Sequence, residues 1–270
     1  MKRMPDSSFT AQALILAAGR GERMRPLTDT TPKPLLQVRG RPLLQWHVDA
    51  LADGGFTDLL VNTAWLGEQI PAHFGATPSA ISGQPLRIAY SEEGRDFGAA
   101  LETAGGIVRA LPRLAEVFWV VAGDVYTPGF TFSADALRRF AESDKLAHLW
   151  LVPNPPHNRL GDFGLSPDGL ALNLPASLRD THRTYTYSTI GLYRRAFFSA
   201  PFVQSVGAIP PGNPAGIKAP LAPLLRAAMD NAAVSAELYT GSWTDVGTPE
   251  RLRELNATHP EAPTTETPSP

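Results

Sequence analysis

Short apolar runs alternate with helical hydrophobic patterns along the first 150 residues of the chain. The runs are rich in β-branched or aromatic residues, as buried strands are, and the segments between them repeat apolar positions at helical spacing. The predicted strands are 13–18, 59–62, 86–90, 117–122 and 147–152, and the predicted helices are 42–52, 65–74, one beginning around 103–108, and 134–141 with Ser133 as its N-cap. This alternation predicts an α/β fold of Rossmann-like type, with a mixed, mostly parallel central sheet flanked by helices.

The pattern loosens after residue 153, where prolines become frequent. We predict a strand at 185–193, a helix at 219–229, a strand at 234–239, and a final helix opened by Thr248 and Pro249. These elements predict a smaller, substrate-side lobe. We therefore expect a flexible N-terminus over residues 1–12, one domain over 13–257, and a disordered tail over 258–270, which is rich in Pro, Thr and Glu.

The composition excludes several classes of function. Lys and Arg total 24 against 26 Asp and Glu, and the net charge of −2 gives no field that would attract nucleic acid or an anionic membrane. The chain has no cysteine, which excludes disulfides, thiolate catalysis, iron–sulfur clusters and thiolate zinc sites. No apolar stretch approaches the ~20 residues of a membrane helix. We expect a cytoplasmic protein, a monomer or small homo-oligomer, with no nucleic-acid or membrane partner.

The segment after the first predicted strand carries the most information. It reads Leu14-Ile-Leu-Ala-Ala-Gly-Arg-Gly-Glu-Arg-Met-Arg-Pro-Leu-Thr28, followed by Thr31-Pro-Lys-Pro34. The dinucleotide pattern G-x-G-x-x-G would need glycine at Met24, and the Gly-Lys-Ser/Thr of a P-loop is absent. Residues 19–41 instead hold six basic residues against two acidic ones. Small residues beside Arg and Lys favour a polyphosphate ligand, although a turn with solvated arginines would have the same composition.

The whole string resembles the consensus L-x-A-G-x-G-x-R-(M/L)-x-P-L-T followed by K-P, which opens the sugar-1-phosphate nucleotidyltransferases. The resemblance implies the nucleotide-diphospho-sugar transferase type of fold. It also implies that Arg23 and Lys33 are catalytic, with Arg23 on the triphosphate and Lys33 on the reacting phosphates. The nucleotide-binding residues that it implies in this segment are Leu16, Ala17, Ala18, Gly19, Gly21, Glu22, Arg23 and Lys33.

Two aspartates are candidate metal ligands. Asp124 follows the predicted strand 117–122, and Asp245 lies 121 residues later in Trp243-Thr-Asp-Val-Gly-Thr248. Carboxylates at the edge of an α/β sheet suit a hard cation such as Mg²⁺, with substrate phosphates completing its shell, although each aspartate could instead cap a turn. The resemblance favours the metal, because both positions match the two metal-binding aspartates of the family, in its G-D and W-x-D-(V/I)-G-T motifs.

The middle of the chain resembles one branch of this family, the branch that makes UDP-N-acetylmuramic acid. The similarity is carried by Glu102-Thr-Ala-Gly-Gly106, by residues 61–67 and by residues 154–163. The Glu-Lys-Pro triplet that many hexose-1-phosphate members carry, whose Lys meets the sugar phosphate, is absent. The expected substrate-binding residues are Glu102, Gly106, Asp162 and Lys218, and the candidate acceptors for the uracil N3–H are Asn62 and Glu93.

The reaction implied is UTP plus N-acetyl-α-muramic acid 1-phosphate giving UDP-N-acetylmuramic acid and pyrophosphate, a step of peptidoglycan recycling. The second pKa of a phosphate monoester is near ~6, so the attacking oxygen is already deprotonated and no general base is required. The alternatives are a mannose-1-phosphate guanylyltransferase or another hexose-1-phosphate nucleotidyltransferase, and a non-catalytic nucleotide-sugar sensor.

Overall fold

A computed structural model describes residues 9–179, 181–199 and 201–257. The strands are β1 (Ala11–Ala17), β2 (Gln37–Val38), β3 (Arg41–Pro42), β4 (Asp58–Thr63), β5 (Arg87–Glu92), β6 (Leu114–Ala122), β7 (Val125–Tyr126), β8 (Ala147–Val152), β9 (Phe163–Leu165), β10 (Ala171–Leu172), β11 (Thr184–Arg194), β12 (Val234–Leu238) and β13 (Thr244–Asp245). The helices are α1 (Leu43–Asp53), α2 (Gln69–Phe74), α3 (Glu93–Phe97), α4 (Glu102–Ala110), α5 (Ala134–Glu142), α6 (Ala176–Arg179), α7 (Leu221–Met229) and α8 (Pro249–Ala257).

Nine of these strands form one mixed sheet. Its order is β10-β9-β11-β6-β1-β4-β5, with β8 beside β11 and β12 beside β8. The strands β6, β1, β4 and β5 are mutually parallel, as the alternating pattern of the first 122 residues predicts. The long strand β11 runs antiparallel to β6, β8 and β9, and so joins the second half of the chain to the first. The predicted α/β class with a mixed central sheet is confirmed.

Side chains of β1 alternate between the two faces of the sheet and enter different hydrophobic clusters. Leu14 packs in the cluster that includes α4 and α7, whereas Ala13 and Ile15 pack in the cluster that includes α1 and α5. The sheet is therefore covered by helices on both faces. This is why its parallel strands are apolar throughout.

A third, smaller cluster ties the loop after β1 to the C-terminal part of the chain. Met24 of the loop, Tyr126 of β7, and Val246 and Leu252 near and within α8 are all buried together. These contacts hold the basic loop against the β7–β13 pair, which carries one predicted metal ligand and adjoins the other.

Some predicted boundaries are wrong. Strand β1 begins at Ala11, so residues 11 and 12 belong to the sheet rather than to a flexible N-terminus. Helix α2 begins at Gln69, not at residue 65, because the Trp65 indole donates a hydrogen bond to the Thr28 carbonyl at 2.8 Å and holds its segment as a turn. The predicted Ser133 cap is confirmed, since its hydroxyl accepts from the main-chain N–H groups of residues 135 and 136.

The predicted tail, 258–270, and the first eight residues lie outside the described part of the chain. Among the residues that are described, no helix combines the length and the apolar character needed to span a membrane.

Candidate active site

A cavity of about 620 Å³ opens at the carboxyl ends of β1, β4 and β6. Open α/β sheets bind their ligands at this edge. Nine of the residues predicted from the sequence line it: Leu16, Ala17, Ala18, Gly19, Lys33, Asn62, Glu102, Asp124 and Asp162. The structure thus brings together residues from five separate parts of the chain in one ligand-sized space.

The loop after β1 folds back on Lys33. Gly21 adopts a left-handed backbone (φ 66°), and a Cβ at this position would lie 3.0 Å from Thr28 Cγ2 and 3.2 Å from Lys33 Cβ. The Thr28 hydroxyl donates to the Gly21 carbonyl at 2.8 Å. A glycine is required here because both the positive φ and the close approach disfavour a side chain. Gly21, Glu22 and Arg23 shape the loop without lining the cavity.

The Lys33 ammonium forms an ion pair with Asp124. Its Nζ lies 2.6 Å from Asp124 Oδ2, and the Lys33 side chain is only 9% exposed whereas that of Asp124 is 41% exposed. An ammonium carries three protons, so Lys33 can hold this carboxylate and still donate to phosphate oxygens in the cavity. The arrangement presents a buried, oriented positive charge to an anionic ligand.

The main chain of Asp245 is adjacent to that of Asp124. Val246 N donates to the Asp124 carbonyl at 2.9 Å, and Asp245 pairs with Val125 across the β7–β13 ladder. The Arg23 guanidinium is close by, since a Cβ on Gly247 would lie 3.5 Å from its Nη2.

The carboxylates of the two aspartates line different cavities. Asp245 faces a neighbouring space of about 790 Å³ and is paired there with Arg251 through Oδ2. His157 Nε2 lies 2.9 Å from Asp245 Oδ1, which is an ion-pair distance without hydrogen-bond alignment.

The donor set fits a hard divalent cation. Asp245 Oδ1 is buried and accepts a hydrogen bond from no described residue, so it has a lone pair available for a metal. No group of three or more His, Cys, Asp or Glu side chains within the described ranges could hold a metal ion. A cation held by Asp124 and Asp245 would therefore need ligand phosphates to complete its shell, as Mg²⁺ commonly does.

Comparison with known proteins identifies the family. The model of the nucleotidyl transferase family matches residues 12–169. The chain belongs to this family. It is 46% identical over 251 residues, 91% of this chain and 97% of the relative, to an N-acetylmuramate alpha-1-phosphate uridylyltransferase from Neisseria meningitidis. A second protein of that name, from Caulobacter vibrioides, is 32% identical and covers 58% of this chain and 66% of its own.

Solved structures support the fold alone. A Bacillus anthracis protein assigned as a glucose-1-phosphate thymidylyltransferase superposes with a TM-score of 0.70 at 18% identity, covering 94% of this chain and 97% of its own.

The predicted membership of the sugar-1-phosphate nucleotidyltransferases is confirmed by the family model and by the Neisseria meningitidis relative, and so is the prediction that the chain is an enzyme of this type.

Glu93, a predicted candidate acceptor for the uracil N3–H, does not line the cavity of this nucleotidyltransferase. It is fully buried, with Oε1 accepting from Asn62 Nδ2 and Oε2 from Leu101 N, each at 2.8 Å. Asn62 Oδ1 in turn accepts the Ala17 N–H at 2.7 Å. Glu93 therefore orients Asn62 instead of contacting a base, and the Ala17 N–H is already used. Burial raises the pKa of Glu93.

Gly106 and Lys218 do not line the cavity of this nucleotidyltransferase. A Cβ on Gly106 would lie 2.6 Å from Glu93 Oε1 and 2.9 Å from Asn62 Nδ2, so this glycine leaves room for the buried Glu93–Asn62 pair. Lys218 is exposed on the segment before α7. Neither position fits the substrate contact that we predicted.

Sequence reasoning missed part of the cavity wall. Phe163, Tyr187, Thr189, Leu225 and Arg226 also line the cavity. The available signal for Arg226 was its position as the single charged residue of an otherwise apolar helix, α7. The pairing of Asp245 with Arg251 and His157 was also missed, because it depends on β13, α8 and the loop after β8 meeting in the folded chain.

Proposed function

We propose that this protein transfers UMP from UTP to N-acetyl-α-muramic acid 1-phosphate, giving UDP-N-acetylmuramic acid and pyrophosphate. The observation that carries the proposal is the 46% identity to the Neisseria meningitidis uridylyltransferase, which extends over 97% of that relative. The cavity at the sheet edge supports it, because its volume of about 620 Å³ suits a nucleotide and a sugar phosphate together.

The reaction joins two polyanions, so the main task of the protein is to neutralise and align them. Lys33 is buried beside the cavity and can stabilise the charge that develops on the reacting phosphates. Arg23 and the main chain of residues 21–23 lie on the loop beside the cavity, outside its wall, and we assign them to the triphosphate. The sugar phosphate supplies an oxygen that is already ionised at neutral pH, so no side chain has to remove a proton.

We assign a Mg²⁺ ion to Asp124 and Asp245. When bound, such an ion would supply positive charge that neutralises the reacting phosphates. Two observations support this assignment: the main chains of the two aspartates are adjacent, and Asp245 Oδ1 accepts no hydrogen bond from a described residue.

Asn62 is the group that we assign to the uracil base. Its side chain lines the cavity and is fixed between Ala17 and Glu93. An amide oxygen has two lone pairs, and the Ala17 N–H uses one, so the other can accept the uracil N3–H. We further propose that the enzyme acts in the cytoplasm, where UTP is available, and serves peptidoglycan recycling for the cell wall.

A pyrophosphate-release assay tests the proposal. UTP, GTP, dTTP and CTP are each combined with the 1-phosphates of N-acetylmuramic acid, N-acetylglucosamine, glucose and mannose, with Mg²⁺ or with EDTA. UTP with N-acetylmuramic acid 1-phosphate should have the highest kcat/KM, and EDTA should abolish turnover. Faster turnover of GTP with mannose 1-phosphate would refute the specificity, and no turnover of any pair would indicate a nucleotide-sugar sensor.

A further inference from the structure

Two basic residues that line the cavity stand on different elements, Lys33 in the loop after β1 and Arg226 on α7. Asn62 is on β4, whereas Arg226 lies over Phe163 of β9 at the far side of the cavity. Strands β1 and β6 separate β4 from β11, and β9 pairs with β11 at residues 184 and 185, beyond the residues 190–194 that pair with β6. Arg226 therefore stands on the α7 and β9 side of the cavity, apart from the base contact assigned to β4, where the acceptor sugar would extend.

Arg226 is held in a defined orientation. Its Nη1 donates to Asn173 Oδ1 at 2.8 Å, and Asn173 Nδ2 donates to the Asp230 carboxylate at 3.0 Å. The guanidinium carbon lies 5.2 Å from the centre of the Phe163 ring, a cation–π contact. One edge of the guanidinium is thus tied to an amide and one face is packed on an aromatic ring, which fixes the plane of a five-donor fork beside the cavity.

The wall around Arg226 is apolar. Phe163, Leu221 and Leu225 are buried and line the same cavity. A ligand carboxylate that entered such a region would be strongly disfavoured without a cationic partner, and a guanidinium is the side chain whose geometry matches a carboxylate in a bidentate pair. A small apolar group on the same ligand could pack against these three side chains.

The acceptor sugar named under the proposed function carries both groups. N-acetylmuramic acid differs from N-acetylglucosamine only by a lactic acid ether, which adds one carboxylate and one methyl group. We propose that Arg226 binds this carboxylate and that Arg226 with Phe163 selects for the lactyl sugar. This inference rests on the proposed function and adds a specificity-determining residue to it.

The acidic residue nearest to this proposed subsite in sequence, Asp162, is already engaged. Its Oδ2 accepts the Tyr187 N–H at 2.9 Å, and its Oδ1 lies 3.3 Å from Asn158 Nδ2. These contacts satisfy the Asp162 carboxylate and connect it to β11.

The test compares two acceptors that differ only in the lactyl group. For Arg226→Met, kcat/KM with N-acetylmuramic acid 1-phosphate should fall roughly 30-fold or more, the effect of losing one charge-assisted pair, whereas kcat/KM with N-acetylglucosamine 1-phosphate should change less than about 3-fold. Arg226→Lys should recover part of the loss. Arg138→Met, which removes an exposed arginine on α5, is the matched control and should leave both values unchanged.

The outcomes separate the two proposals. Equal losses for both acceptors would show that Arg226 only supports the fold of α7 and β9, and unchanged values for both would show that it contacts no ligand; either result overturns the inference. A wild-type enzyme that prefers an acceptor without the lactyl group would instead overturn the proposed function. If Arg226→Met does not fold, Arg226→Lys and calorimetric binding of UDP-N-acetylmuramic acid against UDP-N-acetylglucosamine give the same comparison.

Discussion

Replacement of Lys33 by methionine tests the electrostatic basis of the site. Methionine keeps the apolar stem in its buried position and removes only the ammonium that lies 2.6 Å from Asp124 Oδ2. Every other contact of the loop, including the Gly21–Thr28 hydrogen bond, is left in place. The variant therefore separates the loss of one charge from the loss of the loop.

The structure sets the expected size of both effects. Loss of one preorganised donor costs about 3–4 kcal/mol of transition-state stabilisation, which at ~1.36 kcal/mol per decade is a fall of roughly 10²–10³ in kcat. The free energy of unfolding should fall by no more than about 1 kcal/mol, because the Asp124 side chain is 41% exposed and water can replace the lost donor.

Pyrophosphate release and urea unfolding measure the two quantities on the same preparation. Lys145→Met, which removes a lysine paired with the exposed Asp144, is the control and should keep full activity. A kcat within about 3-fold of wild type in the Lys33→Met variant would refute the role of Lys33. A kcat loss accompanied by global unfolding would show that the ion pair serves folding instead.

Three further variants test the buried support and the metal site. Gly106→Ala places a Cβ 2.6 Å from Glu93 Oε1 and should lower the free energy of unfolding by about 1–3 kcal/mol and reduce activity, whereas Gly129→Ala, whose Cβ would meet its nearest atom at 3.6 Å, should do neither. Each Glu93 oxygen accepts from one N–H donor, so Glu93→Gln places an NH2 group opposite one of these two donors and should also destabilise the fold. Burial raises the pKa of Glu93, so the folded state binds this proton more tightly than the unfolded state does. The free energy of unfolding of wild type, relative to that of Glu93→Gln, should therefore decline as pH rises from about 4. A difference between the two free energies that does not change with pH in urea unfolding would contradict this. Asp245→Asn should sharply raise the Mg²⁺ concentration needed for pyrophosphate release, and an unchanged Mg²⁺ dependence, equal to that of the exposed control Asp168→Asn, would exclude Asp245 as a ligand.

The sequence located the loop after β1 because its information is local. The small residues 17–19 and Gly21 make the turn after β1, and Lys33 lies in the same loop, close to them in sequence. The parallel half of the sheet was equally accessible, since β1, β4, β5 and β6 are short apolar runs separated by helices. These features depend on neighbouring residues and on hydrophobic periodicity.

Residue type alone could not distinguish a side chain that lines the cavity from one that is buried behind it and holds it in place. Glu93 and Asn62 are both polar residues near the ends of strands, yet one is fully buried behind the other. Gly106 occurs in a segment that resembles the family, and Lys218 was predicted as a cation for the sugar phosphate, but the positions of both relative to the cavity depend on how α4 and α7 pack. Burial and orientation arise from contacts between distant segments, which a linear pattern does not record.

The sequence by itself determined the α/β class, the parallel strands of the first half, and the basic loop with its lysine, because each follows from local periodicity and turn chemistry. Only the tertiary structure decided that Lys33 forms an ion pair with Asp124 and that Arg226 lines the same cavity. It also decided that the main chain of Asp245 is adjacent to that of Asp124 while the Asp245 side chain faces the second cavity. Those relations required the pairing of β11 with β6 and of β13 with β7. These pairings join residues 69 to 77 and 118 to 120 positions apart along the chain, and they form only when the chain has buried its apolar surface.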